Sequence, residues 1–161
     1  MTTTTTQFAT LDKFVPELQN IDFQGHVQLS EPSDDVPINY MIEKLHKLGP
    51  VYLNNKSTAD TELHIDGCNN NPFFIHKIYL ILQSNFFQEA FKDLTDGDVV
   101  TIYLPFPQHF ESILEYLYDG NDDKFYETLT VDNYKQIWEN VKYLGLGVKA
   151  NSICETFHEE Q

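Results

Sequence analysis

The chain contains no arginine. Its ten basic residues among 161 are all lysine, set against 25 aspartates and glutamates, for a formal net charge of −15. An anionic field of that size repels phosphate backbones and anionic lipid headgroups. Bidentate recognition of phosphate or guanine ordinarily draws on the forked guanidinium that is missing here. Neither direct nucleic-acid binding nor a membrane partner is expected. Cysteine is scarce as well: Cys68 and Cys154 are too few for a disulfide scaffold. No basic segment leading into an apolar run opens the sequence, and no apolar stretch reaches membrane-spanning length. The expected location is therefore cytoplasmic or nuclear.

Catalytic signatures are missing too. The sequence holds no Gly-x-Ser-x-Gly, no His-Glu-x-x-His and no phosphate-cradling glycine loop. No catalytic residue is nominated, and the chain is not expected to be an enzyme. His64, Cys68 and His76 do not complete a zinc set. The acidic run from Asp93 to Asp98 puts Gly97 where a calcium loop needs a side-chain ligand. No metal and no cofactor are expected.

What the chain does have is apolar and aromatic surface. Hydrophobic residues make up 41% and aromatic residues 14%, with 12 phenylalanines and nine tyrosines. A chain of this length and composition folds as one domain around a real core, without disulfides or metals.

Residues 1–25 are read as a flexible or loosely packed N-terminal arm, and residues 26–161 as the domain. The arm opens with a threonine run, Thr2 to Thr6, of low complexity. It continues with Phe8, Leu11, Phe14, Val15, Leu18, Ile21 and Phe23, whose partly helical spacing Pro16 interrupts. That stretch is either an arm packed on the domain or a short partner-binding segment. His26 to Ser30 alternates as a strand, with Val27 and Leu29 on one face.

A helix follows Pro37, with Ile38, Met41, Ile42, Leu45 and Leu48 at helical spacing and Gly49-Pro50 as the expected stop. Glu62 to Ile65 and Pro72 to Ile75 flank a turn-rich stretch and read as a hairpin. A short helix from His76 to Gln83 and a second one capped by Ser84 precede a β-branched strand, Val99 to Leu104. Pro107 then opens a helix carrying Phe110, Ile113, Leu114 and Leu117, which the polar run Asp119 to Asp123 ends. Thr130 caps a helix carrying Tyr134, Ile137, Trp138, Val141 and Leu144, and a last helix carries Ile153, Cys154 and Phe157. Strands in the first half and helices in the second argue for an α+β fold, a small β-sheet flanked by a cluster of short α-helices.

Four stretches in this order resemble the BTB/POZ family. The first is Asp60 to Gly67, an Asp-led strand running into a glycine turn. The second is Phe74-Ile75-His76-Lys77 through Leu80, continuing as Ser84-Asn85-Phe86-Phe87. The third is Phe110-Glu111-Ser112-Ile113-Leu114 through Tyr118-Asp119-Gly120. The fourth runs from Leu129-Thr130 through Tyr143-Leu144 to Cys154 and Phe157. Glu62 and His64 depart from the pattern, standing where the family strand is usually more apolar.

The resemblance implies a protein-protein interaction domain, a homodimeric adaptor or scaffold, with a cullin-3-type ubiquitin ligase as an implied partner. The alternative is a monomeric structural subunit of a larger complex, like elongin C. It also nominates sites. Val27, Leu29, Ile38, Met41, Ile42 and Leu45 would form a strand-swapped dimer interface, whereas spacing alone makes the helical stripe intramolecular core. Leu94 and Asp96 are the nearest match to a hydrophobic-x-Glu cullin-binding turn; the plainer reading is an ordinary polar loop. Asp60 and Lys77 match a charged pocket, or form a surface ion pair.

Overall fold

Pro37, extended at φ −58° and ψ 136°, leads straight into helix α1 (Ile38–Tyr52). The computed structural model describes residues 37–68 and 71–161. The arm of residues 1–25 and the strand carrying Val27 and Leu29 lie outside the described residues. After α1 come β1 (Thr61–Ile65), β2 (Phe73–Ile75), α2 (Lys77–Ile81), α3 (Asn85–Ala90) and β3 (Asp98–Ile102). A 3-10 turn (Pro107–His109) then leads into α4 (Phe110–Asp119), followed by α5 (Asp122–Glu127), α6 (Tyr134–Tyr143) and α7 (Val148–Glu159).

The sheet has the order β2-β1-β3. β1 and β2 form the expected antiparallel hairpin, with Thr61 opposite Ile75 and Leu63 opposite Phe73. The chain crosses over through α2 and α3, so β3 returns parallel to β1, with Leu63 opposite Val100 and Ile65 opposite Ile102. Period-two alternation buries Thr61, Leu63 and Ile65 and turns Glu62 and His64 outward. The polar residues at the departure from the family pattern therefore occupy the wet face of the sheet.

Helix α1 does not stop at Gly49-Pro50 as expected; it runs on to Tyr52. Gly49 has a different task. Its Cα lies so close to α4 that a Cβ would overlap the Tyr118 carbonyl oxygen. The glycine is there for close helix packing, and Pro50 is tolerated within the final turn, where Leu53 N–H closes on Gly49 O at 2.8 Å. At the end of α4, Gly120 adopts the left-handed conformation expected of a helix C-cap, at φ 62°.

The polar run Asp119 to Asp123 ends α4 as expected, and a further short helix, Asp122–Glu127, starts within it. Asn121 caps it by accepting from Lys124 N–H at 3.0 Å, and Asp122 and Asp123 complement the positive end. Two expected caps take this shape as well. Ser84 Oγ accepts from Phe87 N–H at 3.1 Å. Thr130 and Asn133 exchange backbone-to-side-chain hydrogen bonds at 3.2 and 2.8 Å at the entry to α6. The core lies between the inner sheet face and α1, α4, α6 and α7, and includes Leu45, Leu63, Ile75, Tyr79, Phe87, Leu104, Phe110, Ile113 and Tyr118.

Candidate protein-interaction surface

The stripe on α1 divides into two faces. Met41 and Leu45 are buried in the chain's own core, and the Leu45 carbonyl accepts a hydrogen bond from Tyr79 Oη at 2.6 Å. Both side chains pack within the chain's own core, the role that spacing alone gives this stripe. Ile38 is 48% exposed, and Ile42 is only partly buried. Spacing alone does not separate these faces, because a wide stripe on one helix serves two surfaces at once.

Ile38 and Ile42 border a groove of about 1090 Å³ whose other wall is the start of α7, from Gly147 to Glu155. Its floor includes Leu82, Gln83 and Leu117. The far wall is held by local backbone pairing. Asn85 N–H donates to Gly145 O at 3.3 Å, and Phe86 N–H to Leu144 O at 3.2 Å. Ser84 Oγ donates to the Leu144 carbonyl at 2.6 Å. Val148, the first residue of α7, is 83% exposed.

The polar floor of the groove is ordered. Gln83 Nε2 donates to the carbonyls of Tyr79 and Leu117, at 2.8 and 2.7 Å. Its Oε1 therefore faces His46 Nε2 at 3.1 Å and accepts the ring proton. Burial lowers the His46 pKa, opposed by the Gln83 hydrogen bond and the nearby Asp119. The groove thus offers mixed walls, in which Ile38, Ile42 and Val148 stand among Asn39, Glu43, Lys149 and Glu155, over a hydrogen-bonded base.

The two remaining nominated pairs form a single cluster. Asp60 Oδ1 accepts from Lys77 N–H at 3.1 Å and from Thr61 Oγ1 at 2.9 Å. The Lys77 ammonium turns away from Asp60, to the Leu94 carbonyl and Asp96 Oδ1, each at 3.4 Å. Asp60 and Lys77 are both buried, so the surface ion-pair reading does not hold for them. Asp60 Oδ2 is buried without a hydrogen-bond partner among the described residues. Burial raises the Asp60 carboxyl above its ordinary value, against the pull of its hydrogen bonds from Lys77 and Thr61. Leu94 is partly buried against the core and Asp96 is exposed. The turn between α3 and β3 is thus fastened from below by Lys77.

Sequence reasoning passed over two further polar anchors. His76 is fully buried between Tyr118 and Thr58. Asn140 is fully buried on α6 and clamps Phe106 by both backbone atoms, accepting from its N–H at 3.0 Å and donating to its carbonyl at 2.8 Å. The signal for Asn140 is its position one residue before Val141 on the apolar face of its helix. Among the described residues no three His, Cys, Asp or Glu side chains converge as a metal site.

A family model described as the BTB/POZ domain matches residues 51–152, well over half of the chain. The chain belongs to the BTB/POZ domain family. Among solved structures, the BTB domain of zebrafish PATZ1 aligns with a TM-score of 0.53 at 18% identity, covering 76% of this chain and 91% of that one. At that identity the likeness speaks to the fold. No curated protein sequence matches the chain. BTB/POZ domains are protein-protein interaction modules. The match begins at Val51, so nearly all of α1, one wall of the groove, precedes the part of this BTB/POZ chain that the family pattern covers.

Proposed function

We propose that this BTB/POZ chain is a non-catalytic adaptor that receives an apolar segment of a protein partner in the groove between α1 and α7. The observation that carries the proposal is the pair Ile38 and Val148, 48% and 83% exposed, one from each helix bordering the same 1090 Å³ groove. Burying aliphatic side chains of this size contributes roughly 1.5–3 kcal/mol each. Exposed aliphatic groups gathered at a concave site are a common mark of protein docking. The test is selection of peptides from a displayed library on the full chain, followed by titration. Ile42→Asp is expected to weaken the selected peptides at least about tenfold, or 1.4 kcal/mol. Equal affinity for Ile42→Asp and wild type overturns the proposal.

Self-association as a homodimeric adaptor or scaffold is the second reading, favoured by the flank of α1 where Ile38 is exposed and Ile42 partly so. A two-fold pairing of such helices needs on the order of 1,000 Å² of buried surface to persist. Light scattering across a dilution series tests it: a doubled mass lost in Ile38→Asp supports the dimer. A monomer at every concentration removes it and favours a subunit of elongin C type. An adaptor role toward a cullin-3-type ligase rests on Leu94 and Asp96 alone, and engagement there has to draw Asp96 away from Lys77.

A further inference from the structure

We infer that the outer edge of β3 is a second docking surface, which takes an extended segment of a protein partner, flanked by lysine or arginine, as an added strand. It stands apart from the groove between α1 and α7, since no residue of β3 borders that groove.

The sheet has two edges, and they are finished differently. At β2, Asp60 N–H donates to Ile75 O at 3.0 Å, so the neighbouring Phe74 turns its backbone outward. Asn54 Oδ1 accepts that outward Phe74 N–H at 2.8 Å and closes the edge. β3 has no such cover. Ile102 O accepts from Asp66 N–H at 2.7 Å, which turns the backbone of Asp98, Val100 and Ile102 toward β1. Val99 and Thr101 turn theirs to the outer edge, and among the described residues no strand or side chain pairs with that backbone.

Open edges are ordinarily blunted by lysine, proline or a bulge. Asp98–Ile102 holds neither lysine nor proline, and its register with β1 is unbroken. From Val99 to Ile102 every side chain is β-branched, the composition that favours a further pairing. Val99 is 62% exposed and Tyr103 58%. Tyr103 meets the ring of Tyr143, at the end of α6, edge-on at 5.9 Å, and Tyr143 lies 5.2 Å from Phe86. An added strand thus finds unpaired donors and acceptors along its length and an aromatic shelf at one end.

Charge selects the occupant. Residues 60–68 and 93–104, which carry β1 and β3, contain no lysine. Asp93 and Asp98 stand at the start of β3, and Asp66 lies beside its end at Ile102. A cationic side chain at each end of the added strand meets these carboxylates. A second copy, itself at −15, is repelled.

The probe is the synthetic peptide Lys-Val-Thr-Val-Thr-Lys, titrated into the full chain and followed by NMR with amide exchange. Saturation is expected to slow exchange of the Val99 and Thr101 amides about tenfold and to leave that of Phe74 unchanged. N-methylation of the four central amides of the peptide should abolish binding. Glutamate in place of both lysines should weaken it at least about tenfold, and so should Val99→Lys in the protein, placed on an exposed residue so that the fold is kept. Ile42→Asp should leave the affinity unchanged, which separates this surface from the groove. Absence of slowing at Val99 and Thr101 overturns the inference, as does equal binding of the methylated peptide or binding lost with Ile42→Asp. Val99 and Thr101 amides already protected without peptide also overturn it, assigning the edge to the chain itself or, where the mass doubles, to a second copy.

Discussion

The Tyr118 hydroxyl lies 2.8 Å from both the backbone nitrogen and Nδ1 of His76. Because the hydroxyl accepts the backbone N–H, its own proton goes to Nδ1. The ring proton then sits on Nε2 and is donated to Thr58 Oγ1 at 2.8 Å. This network holds His76 neutral at the end of β2, with Tyr79 stacked on Tyr118 at 4.1 Å behind it.

Acid should therefore destabilise the fold earlier than carboxylate titration would. Burial pushes the His76 pKa from 6.5 down to about 4. The unfolded chain binds this proton first, so stability is complete above pH 6.5 and falls as the pH drops toward about 4. The slope approaches about 1.4 kcal/mol per pH unit. His46, also lowered by burial, adds in the same direction. Asp60, raised by burial, works the other way, regaining stability as the pH falls through its folded value. Urea unfolding at a series of pH values gives the sum. The NMR titration of the His76 ring isolates its share, and a midpoint near 6.5 would contradict the network.

Leu45 separates core from interface. It has no exposed surface, and its α1 backbone is tied to Tyr79. Leu45→Ala is expected to cost about 2–5 kcal/mol by urea denaturation. The solution mass at native concentrations should not change. A lower mass with unaltered stability would return Leu45 to an interface role.

Asp60→Leu and Asp60→Asn should part company. Leucine leaves Lys77 N–H and Thr61 Oγ1 without the acceptor they share, costing about 1–3 kcal/mol for each buried group left unpaired. Asparagine keeps an oxygen for both and removes a charge that burial opposes, so its stability at pH 7 should stay within about 1 kcal/mol of wild type. Similar losses in the two variants would mean that the charge, not the acceptor, holds the cluster.

Gly49→Ala tests the close approach of α1 and α4. The added Cβ meets backbone, which cannot rotate aside as a side chain can. A loss of about 3 kcal/mol or more in unfolding free energy is expected. A neutral substitution would place the two helices further apart.

Much of this arrangement is legible in the sequence because local chemistry fixes it. The Ser84 cap, the hairpin from Thr61 to Ile75 and the apolar face of α4 follow from residue type and spacing. The helix at Asp122–Glu127 escaped because its one buried side chain, Phe125, gives no periodicity, and its start is written in Asn121 rather than in a stripe. Gly49-Pro50 reads as a stop in sequence but acts as a contact in space, since Tyr118 lies far along the chain. For the same reason, spacing could not reveal that Lys77 joins Asp60 to the Leu94–Asp96 turn, or that Met41 and Ile42, adjacent in sequence, face core and groove respectively.

The central claim is that the groove between α1 and α7 receives an apolar protein segment. NMR shift mapping of the full chain with a library-selected peptide tests it most directly. The account predicts shifts centred on Ile38, Ile42, His46 and Val148–Asn151, abolished by Ile42→Asp. Shifts centred instead on the outer sheet face at Glu62, His64, Val99 and Tyr103, and indifferent to Ile42, would contradict it.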